Sequence, residues 1–369
     1  MTKNISRKNF LQKTGSALAV ASIGFPSIYI PKSKSSDRNK IGVALVGLGS
    51  YSTNQLAPGL QRTDHCELRG IVTGSPHKIP VWQEEHGIPD ANVYNYENMH
   101  EIADNDDIDV VYIVLPTGLH AKYSIVGAEA GKNVWCEKPF AMDVAECQAV
   151  IDACESNRVQ LTIGYRMQHE PNTQEIIRYG KEQTYGEITG VRTSAGYSGG
   201  GHPIGDWRRN PDLGGGALYD MGVYPLNAAR YATGMEPIAA RGIQSSQRPD
   251  IYKFVDETTE FELEFPGGVF AKGETSFGKS VNYLEVEATG GWYKLQPFQS
   301  YTRVRGETSD GRELPADPDH QQARQMDNDA LALKENKDPI VPGEDGLADI
   351  RIVEAIMESS ERGGEWIQL

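Results

Sequence analysis

Positive charge is scarce in this chain. Against 51 Asp and Glu stand 36 Lys and Arg, a formal net charge of −15. That excludes nucleic acid and an anionic membrane surface as expected partners, because both are gripped through basic patches. A local pocket can differ in sign from the whole, so an anionic cofactor stays allowed. Cysteine is scarce as well, at four residues. Cys147 and Cys154 fall on one expected helix, too far apart to bridge. Cys136 falls in an expected core strand and Cys66 near another, so all four read as free and mostly buried. Zinc-type spacing and histidine clusters are both missing, so no metal site is expected. Hydrophobic content is 38% and charged content 24% of 369 residues, which suits a soluble chain with room for two domains.

The first residues differ from the rest. Lys3, Arg7, Lys8 and Lys13 are followed by an uncharged apolar stretch, Gly15 to Ile30. It is short for a membrane span and has the flanks of a signal peptide. Ser6-Arg7-Lys8-Asn9-Phe10-Leu11-Gln12 resembles a twin-arginine export signal, with Lys8 in place of the second arginine. Residues 1–39 are therefore expected to be an export signal and polar linker. The mature protein would then lie in the periplasm with no membrane span. The alternative is an amphipathic helix packed on a cytoplasmic enzyme.

From Ile41 an apolar run ends in Gly47-Leu48-Gly49-Ser50-Tyr51-Ser52. A buried parallel strand, a glycine turn and then a helix is the usual cradle for a dinucleotide pyrophosphate. Gly47 permits the turn, Gly49 lets the backbone approach the phosphates, and Ser52 is small enough for close helix packing. A helix is expected over Asn54 to Arg62 and a second strand over Glu67 to Val72. An acid at that strand's end would bond the ribose of NAD. None is present; Thr73-Gly74-Ser75-Pro76-His77-Lys78 stands there instead. Hydroxyls and a lysine suit a 2′-phosphate, so NADP is expected ahead of NAD, with Thr73, Gly74, Ser75 and Lys78 as its contacts. A third strand, Asp109 to Leu115, leads into Pro116-Thr117-Gly118-Leu119-His120, where Leu115, Pro116, Thr117 and His120 are expected near the cofactor. The next strand, Val134-Trp135-Cys136, ends in Glu137-Lys138-Pro139. Proline cannot continue a central strand, so Lys138 is expected at the carboxyl edge of the sheet, the ligand crevice of an open α/β fold. A helix over Val144 to Ser156 and a last strand over Gln160 to Tyr165, ending at Arg166, complete a doubly wound Rossmann domain over residues 40–166.

Residues 167–369 change pattern. Alternating runs at Ile188–Tyr197, Thr258–Phe265, Val269–Ser276, Leu284–Thr289 and Trp292–Leu295 predict an α+β domain with a large open, mostly antiparallel sheet. Its free face favours a homodimer or homotetramer. The C-terminal helices are free to pack back on the first domain. Within this part lies Asp206-Trp207-Arg208-Arg209, then Leu213-Gly214-Gly215-Gly216-Ala217-Leu218-Tyr219-Asp220-Met221-Gly222-Val223-Tyr224. Asp220 and Tyr224, at i and i+4, share a helix face. Asp220 can orient a substrate hydroxyl, and Tyr224 can pass its proton if Lys138 stands nearby.

In this order the motifs resemble the glucose–fructose oxidoreductase family, also called Gfo/Idh/MocA, from about residue 40 to about 362. The matching pieces are V-G-L-G, T-G-S-x-x-K, V-Y-I-V-L-P-T-x-L-H, C-E-K-P, I-G-Y-R, and W-R followed by L-G-G-G-A-L-x-D-x-G-V-Y; Pro342 to Asp349 also matches. The resemblance implies that Lys138 is the catalytic lysine and that Asp220 and Tyr224 handle substrate. Tyrosine at this place, where many members carry histidine, is similar to glucose–fructose oxidoreductase itself. It implies an NADP-dependent oxidoreductase acting on a sugar, with C1 as the expected carbon and the cofactor retained and recycled by a second sugar. Glu137, Arg166, Trp207 and Arg208 are expected beside the cofactor, and Lys138, Arg166, Asp220, Tyr224 and Tyr301 around the sugar. Two other readings fit the same motifs: a redox-assisted glycosidase without net oxidation, and a non-catalytic nucleotide sensor.

Overall fold

The strand β1 (Ile41–Val46) is apolar at nearly every position because it is covered on both faces. Val43 and Leu45 pack with Leu56, Trp82 and Trp135 on one side. Ala44 and Val46 pack with Val111, Ile113 and Cys136 on the other. The computed structural model describes residues 39–199 and 201–369. The expected export segment lies, apart from Asn39, outside the described residues.

Six parallel strands follow the order β3-β2-β1-β4-β5-β6. They are β1, β2 (Cys66–Val72), β3 (Val93–Tyr94), β4 (Val110–Ile113), β5 (Asn133–Cys136) and β6 (Leu161–Ile163). The order reverses at β1, which pairs with both β2 and β4, so a crevice opens beyond the carboxyl ends of β1 and β4. This is the doubly wound sheet the strand–helix alternation predicts. The short edge strand β3 was not legible, since two residues carry no periodicity.

The second sheet has nine strands in the order β14-β13-β12-β11-β7-β10-β9-β8-β15. Its long members are β7 (Ile188–Gly196), β8 (Ala239–Ser245), β9 (Thr258–Phe265), β10 (Val269–Ser276), β11 (Val281–Ala288) and β12 (Gly291–Leu295). The edges are β13 (Gly306–Thr308), β14 (Glu313–Leu314) and β15 (Ile367–Gln368). All neighbours are antiparallel except β7 and β10. One face packs on the helices Pro171–Glu182, Val223–Thr233 and Gly343–Glu361. The other carries a row of charges in register across eight strands: Glu313, Glu307, Lys294, Glu285, Arg192, Lys272, Glu262 and Arg241. Lys294 pairs with Glu307 at 2.8 Å and Arg241 with Glu262 at 2.8 Å, while Arg192 pairs with Glu285.

The C-terminal helices do pack back. Helix Gln321–Glu335 puts Met326, Ala330 and Leu333 into the cluster below β1, and Asp327 accepts from the backbone of Asp64 and His65 at 3.0 and 2.8 Å. Helix Gly343–Glu361 ties the two sheets together. Glu354 accepts from Val144 N at 3.0 Å, and Ser359 accepts from Gly242 N at 3.0 Å.

Two helical stretches differ from expectation. The helix expected over Asn54 to Arg62 begins before that, with a π-helical turn at Ser52–Leu56 leading into Ala57–Leu60. The helix carrying Asp220 also holds a π turn, Leu218–Gly222, before Val223–Thr233. A proline follows each, Pro58 and Pro225. Lacking an N–H, each leaves a gap in the i→i−4 ladder, and the turn before it widens.

Candidate active site

The crevice at the switch point is a cleft of about 940 Å³. Its floor is the glycine turn. Gly47 has φ +99, and a Cβ there would stand 2.4 Å from Val114 O. A Cβ on Gly49 would meet nothing within 4 Å, so that backbone faces open space. Leu48, Gly49, Ser50 and Tyr51 line the cleft, and the helix beginning behind them directs N–H groups into it. Ser52 does not line it. The Ser52 hydroxyl is buried and donates to Gly47 O at 2.6 Å, pinning the turn from behind.

Thr73, Ser75 and Lys78 flank the turn in the same cleft. Thr73 Oγ1 accepts from Ser75 N at 3.0 Å, and Lys78 Nζ donates to Leu48 O at 2.6 Å. Hydroxyls and an ammonium therefore stand where no acid does. Gly74 instead packs on Tyr96, whose ring a Cβ would approach to 2.9 Å. A pyrophosphate and a 2′-phosphate fit this donor set, so the residues present suit a dinucleotide.

Farther in, Leu115, Pro116, Thr117, Glu137, Lys138, Arg166, Trp207, Arg208, Asp220, Tyr224 and Tyr301 line the same space. The bonds among them differ from the expected ones. Lys138 Nζ donates to the backbone oxygen of Asp220 at 2.9 Å and lies 4.4 Å from the centroid of the Tyr224 ring. The Tyr224 hydroxyl accepts from Arg166 Nη1 at 2.8 Å. Its direct partner is thus Arg166, not the lysine. Arg166 is 1% exposed, with its guanidinium 4.7 Å from the Tyr301 ring and 5.2 Å from the Tyr224 ring. Burial opposes that charge, but the phenols of Tyr224, Tyr51 and Tyr301 and the Glu137 carboxyl outweigh it and hold the guanidinium above its ordinary range. Asp220 accepts from Arg208 Nε at 2.8 Å, so its carboxylate is already paired.

Glu137 accepts from Tyr112 at 2.7 Å, and burial raises its carboxyl above the usual range. Burial, and then Glu137, raises the Tyr51 phenol well above its ordinary value. Burial and Tyr224 push Tyr301 up to about 12. His120 is a correction. It lies behind the wall rather than in it, buried, with Nδ1 2.7 Å from Pro139 O and Nε2 2.7 Å from Leu115 O. The ring opens the helix His120–Glu129 and joins the segments after β4 and β5, outside the lining of the cleft.

Several lining residues were missed. Tyr96 follows the short β3, Tyr197 follows β7, and Gln299 and Ser300 arrive with Tyr301 on a loop. Asn282 shapes that loop, accepting from Phe298 N and Gln299 N at 3.0 Å each. Nothing in their local sequence marks these residues; Tyr96 arrives with the short edge strand of the first sheet, and the docking of the second sheet brings in the others. Among the described residues no group of acids, histidines and cysteines could hold a metal. All four cysteines are free and buried.

A glycine turn at a switch point, a donor set for phosphates, and a lysine and tyrosine at the inner end define a nucleotide-dependent Rossmann oxidoreductase. A family model described as the oxidoreductase family with an NAD-binding Rossmann fold matches residues 41–165, and the model of its C-terminal domain matches 173–295. The chain belongs to the Gfo/Idh/MocA oxidoreductase family. It is similar to the aldose-aldose oxidoreductase of Caulobacter crescentus, solved with glycerol: 35% identity, TM-score 0.85, covering 89% of this chain and 100% of that one. It is also similar to the D-xylose 1-dehydrogenase [NADP(+)] of Haloarcula marismortui, at 29% identity over 88% of this chain and 92% of that one. A 3-ketoreductase of Actinomadura kijaniata, solved with NADP and TDP-benzene, shares the fold at 24% identity and TM-score 0.76, covering 87% and 98% of the two chains.

Proposed function

We propose that this protein is an NADP-dependent aldose oxidoreductase that moves hydride between C1 of a sugar and nicotinamide. The observation that carries the reading is the Arg166–Tyr224–Lys138 group at the inner end of the cleft, beyond the phosphate-binding turn. When bound, NADP supplies the carbon that accepts or returns hydride. Thr73, Ser75 and Lys78 would hold its 2′-phosphate, in place of the acid that selects NAD.

The protein's own residues handle the proton. Tyr224 offers a hydroxyl oxygen to the reacting sugar hydroxyl, and two cations border its ring. Arg166 donates to that oxygen and so stabilises negative charge developing there. Lys138, anchored on Asp220 O, adds charge on the ring face and retains donors for the sugar oxygen. Asp220, paired with Arg208, accepts from a neighbouring hydroxyl. The aldose-aldose activity of the Caulobacter relative and the xylose dehydrogenase supports an aldose as substrate, with a second aldose taking back the hydride. We also propose that a second copy covers the open sheet face, where Ile243, Phe270 and Trp292 stand exposed among the paired charges.

The test is the spectrum of the purified, NADP-loaded protein. One aldose should raise the absorbance of reduced nicotinamide, and a second should bleach it. Sugar released from a glycoside with no net reduction would sink the reading and favour the glycosidase.

A further inference from the structure

His120 carries a contradiction that the reaction itself does not use. Both of its ring nitrogens lie 2.7 Å from backbone carbonyl oxygens, Nδ1 from Pro139 O and Nε2 from Leu115 O. A carbonyl oxygen can only accept. A neutral imidazole has one N–H and one lone pair, so it can satisfy one of these contacts and must set lone pair against lone pair at the other. Both contacts together require N–H on both nitrogens, the imidazolium. The two oxygens belong to different walls of the cleft. Leu115 precedes Pro116 and Thr117 beyond β4, and Pro139 follows Lys138 beyond β5. One buried ring therefore fastens two ligand-lining segments to each other.

Several forces act against the charge. Burial comes first, and Lys138 repels it. His120 also opens the helix His120–Glu129, where the backbone dipole disfavours a cation. The carbonyls of Leu115, Pro139 and Phe140 act the other way. Two more charged groups lie on the neighbouring segments: Glu137, held by Tyr112, and Asp212, on the turn packed against Gly118. Burial outweighs the carbonyls and holds the ring below the ordinary histidine range, so it gains its second proton only on the acid side of neutrality.

The two contacts differ in what their loss would cost. The bond to Pro139 O is buried, whereas the bond to Leu115 O is partly open. Water can replace the second more easily than the first. We infer that His120 is a positioning residue for the cofactor: as an imidazolium it clamps Leu115 against Pro139, and on losing the proton it keeps the Pro139 bond and releases the Leu115 segment. Protonation thus tightens the β4 wall, and the dinucleotide should be held more firmly at lower pH. This rests on NADP being the ligand of the cleft.

Two measurements test it. Nitrogen-15 NMR of histidine-labelled protein, with the signal assigned through His120→Gln, should show the second ring nitrogen becoming protonated as the pH is lowered from 8 to 5, with only Nδ1 protonated at pH 8. A single N–H across that range, or a proton left on Nε2, overturns the clamp. This arm needs no ligand, and sequential assignment of the wild-type ring signal decides the matter if the variant is unstable. NADP titrations of the wild type should then tighten roughly three- to thirtyfold from pH 8 to pH 5, about the difference one charge-assisted bond makes. His120→Gln, with a donor that does not titrate, should lack that increment. Ionisation of the 2′-phosphate shifts affinity in the opposite sense and is common to both proteins. An equal pH dependence in the two proteins refutes the inference. Absence of NADP binding to either protein would instead fail the cofactor reading, with the NMR result still standing.

Discussion

At the scale of single residues, the chemistry turns on which cation serves Tyr224. Lys138 lies over its ring and Arg166 bonds its oxygen at 2.8 Å, so the two deletions should not look alike. Tyr224→Phe keeps the ring and removes the oxygen. It is expected to lower single-turnover hydride transfer at least about a hundredfold while leaving NADP affinity nearly unchanged. Arg166→Lys keeps the charge and loses the planar fork, and it too should slow transfer. Combined with Tyr224→Phe, its effect should largely disappear, because the bond it disturbs is already gone. Full additivity of the two in stopped-flow measurements would show that Arg166 does not act through Tyr224. Lys138→Ala should stay partly additive with Tyr224→Phe, since Lys138 retains donors of its own for the sugar.

At the scale of elements, the π turn Leu218–Gly222 sets the direction of Asp220 and Tyr224, and Asp256 holds its start. Leu218 N and Thr259 Oγ1 donate to one carboxylate oxygen of Asp256 at 2.9 and 2.7 Å, and Ala217 N donates to its backbone oxygen at 3.1 Å. Gly216, at φ +104, would place a Cβ 2.1 Å from the other oxygen, so the glycine admits the acid. Burial raises this carboxyl from 3.8 to about 6. A raised folded value means that the folded state prefers the protonated acid. Stability from this group is therefore full below its unfolded value and is lost as pH rises through about 6, a loss of roughly 3 kcal/mol. Asp256→Asn removes the titration with little change of shape. Between pH 4 and pH 7 the wild-type Tm should fall relative to that of the variant. Parallel Tm profiles over that range would show that Asp256 stays ionised in the folded state.

At the scale of the whole molecule, two sheets share the helix Gly343–Glu361, and the cleft lies where loops from both converge. The outer face of the second sheet carries cross-strand ion pairs, each worth little in water, about 0–1 kcal/mol. A second copy laid across it would bury Phe270 and Trp292 and strengthen those pairs. Sedimentation at micromolar concentration should then report a dimer or tetramer, and Phe270→Glu should shift it toward monomer. A wild-type protein that sediments as a monomer throughout would contradict the covered face.

Much of this was legible in the sequence by itself because it follows from local rules. Strands buried on two faces are continuous apolar runs, and glycine turns and prolines punctuate them, so the order of elements and the cleft-lining positions of Gly47, Lys138, Asp220 and Tyr224 could be read directly. Long, regular strands such as β9 and β10 were legible to the residue for the same reason. What the tertiary structure alone decided is pairing. Whether Tyr224 bonds Arg166 or Lys138, whether His120 faces the cleft or the wall behind it, and which residues of the loop ending in Tyr301 reach the site depend on groups far apart in the chain. For Tyr224 and the Tyr301 loop those distances are set by the docking of one sheet on the other, for His120 by the pairing of β4 with β5, and no periodicity within a segment encodes either.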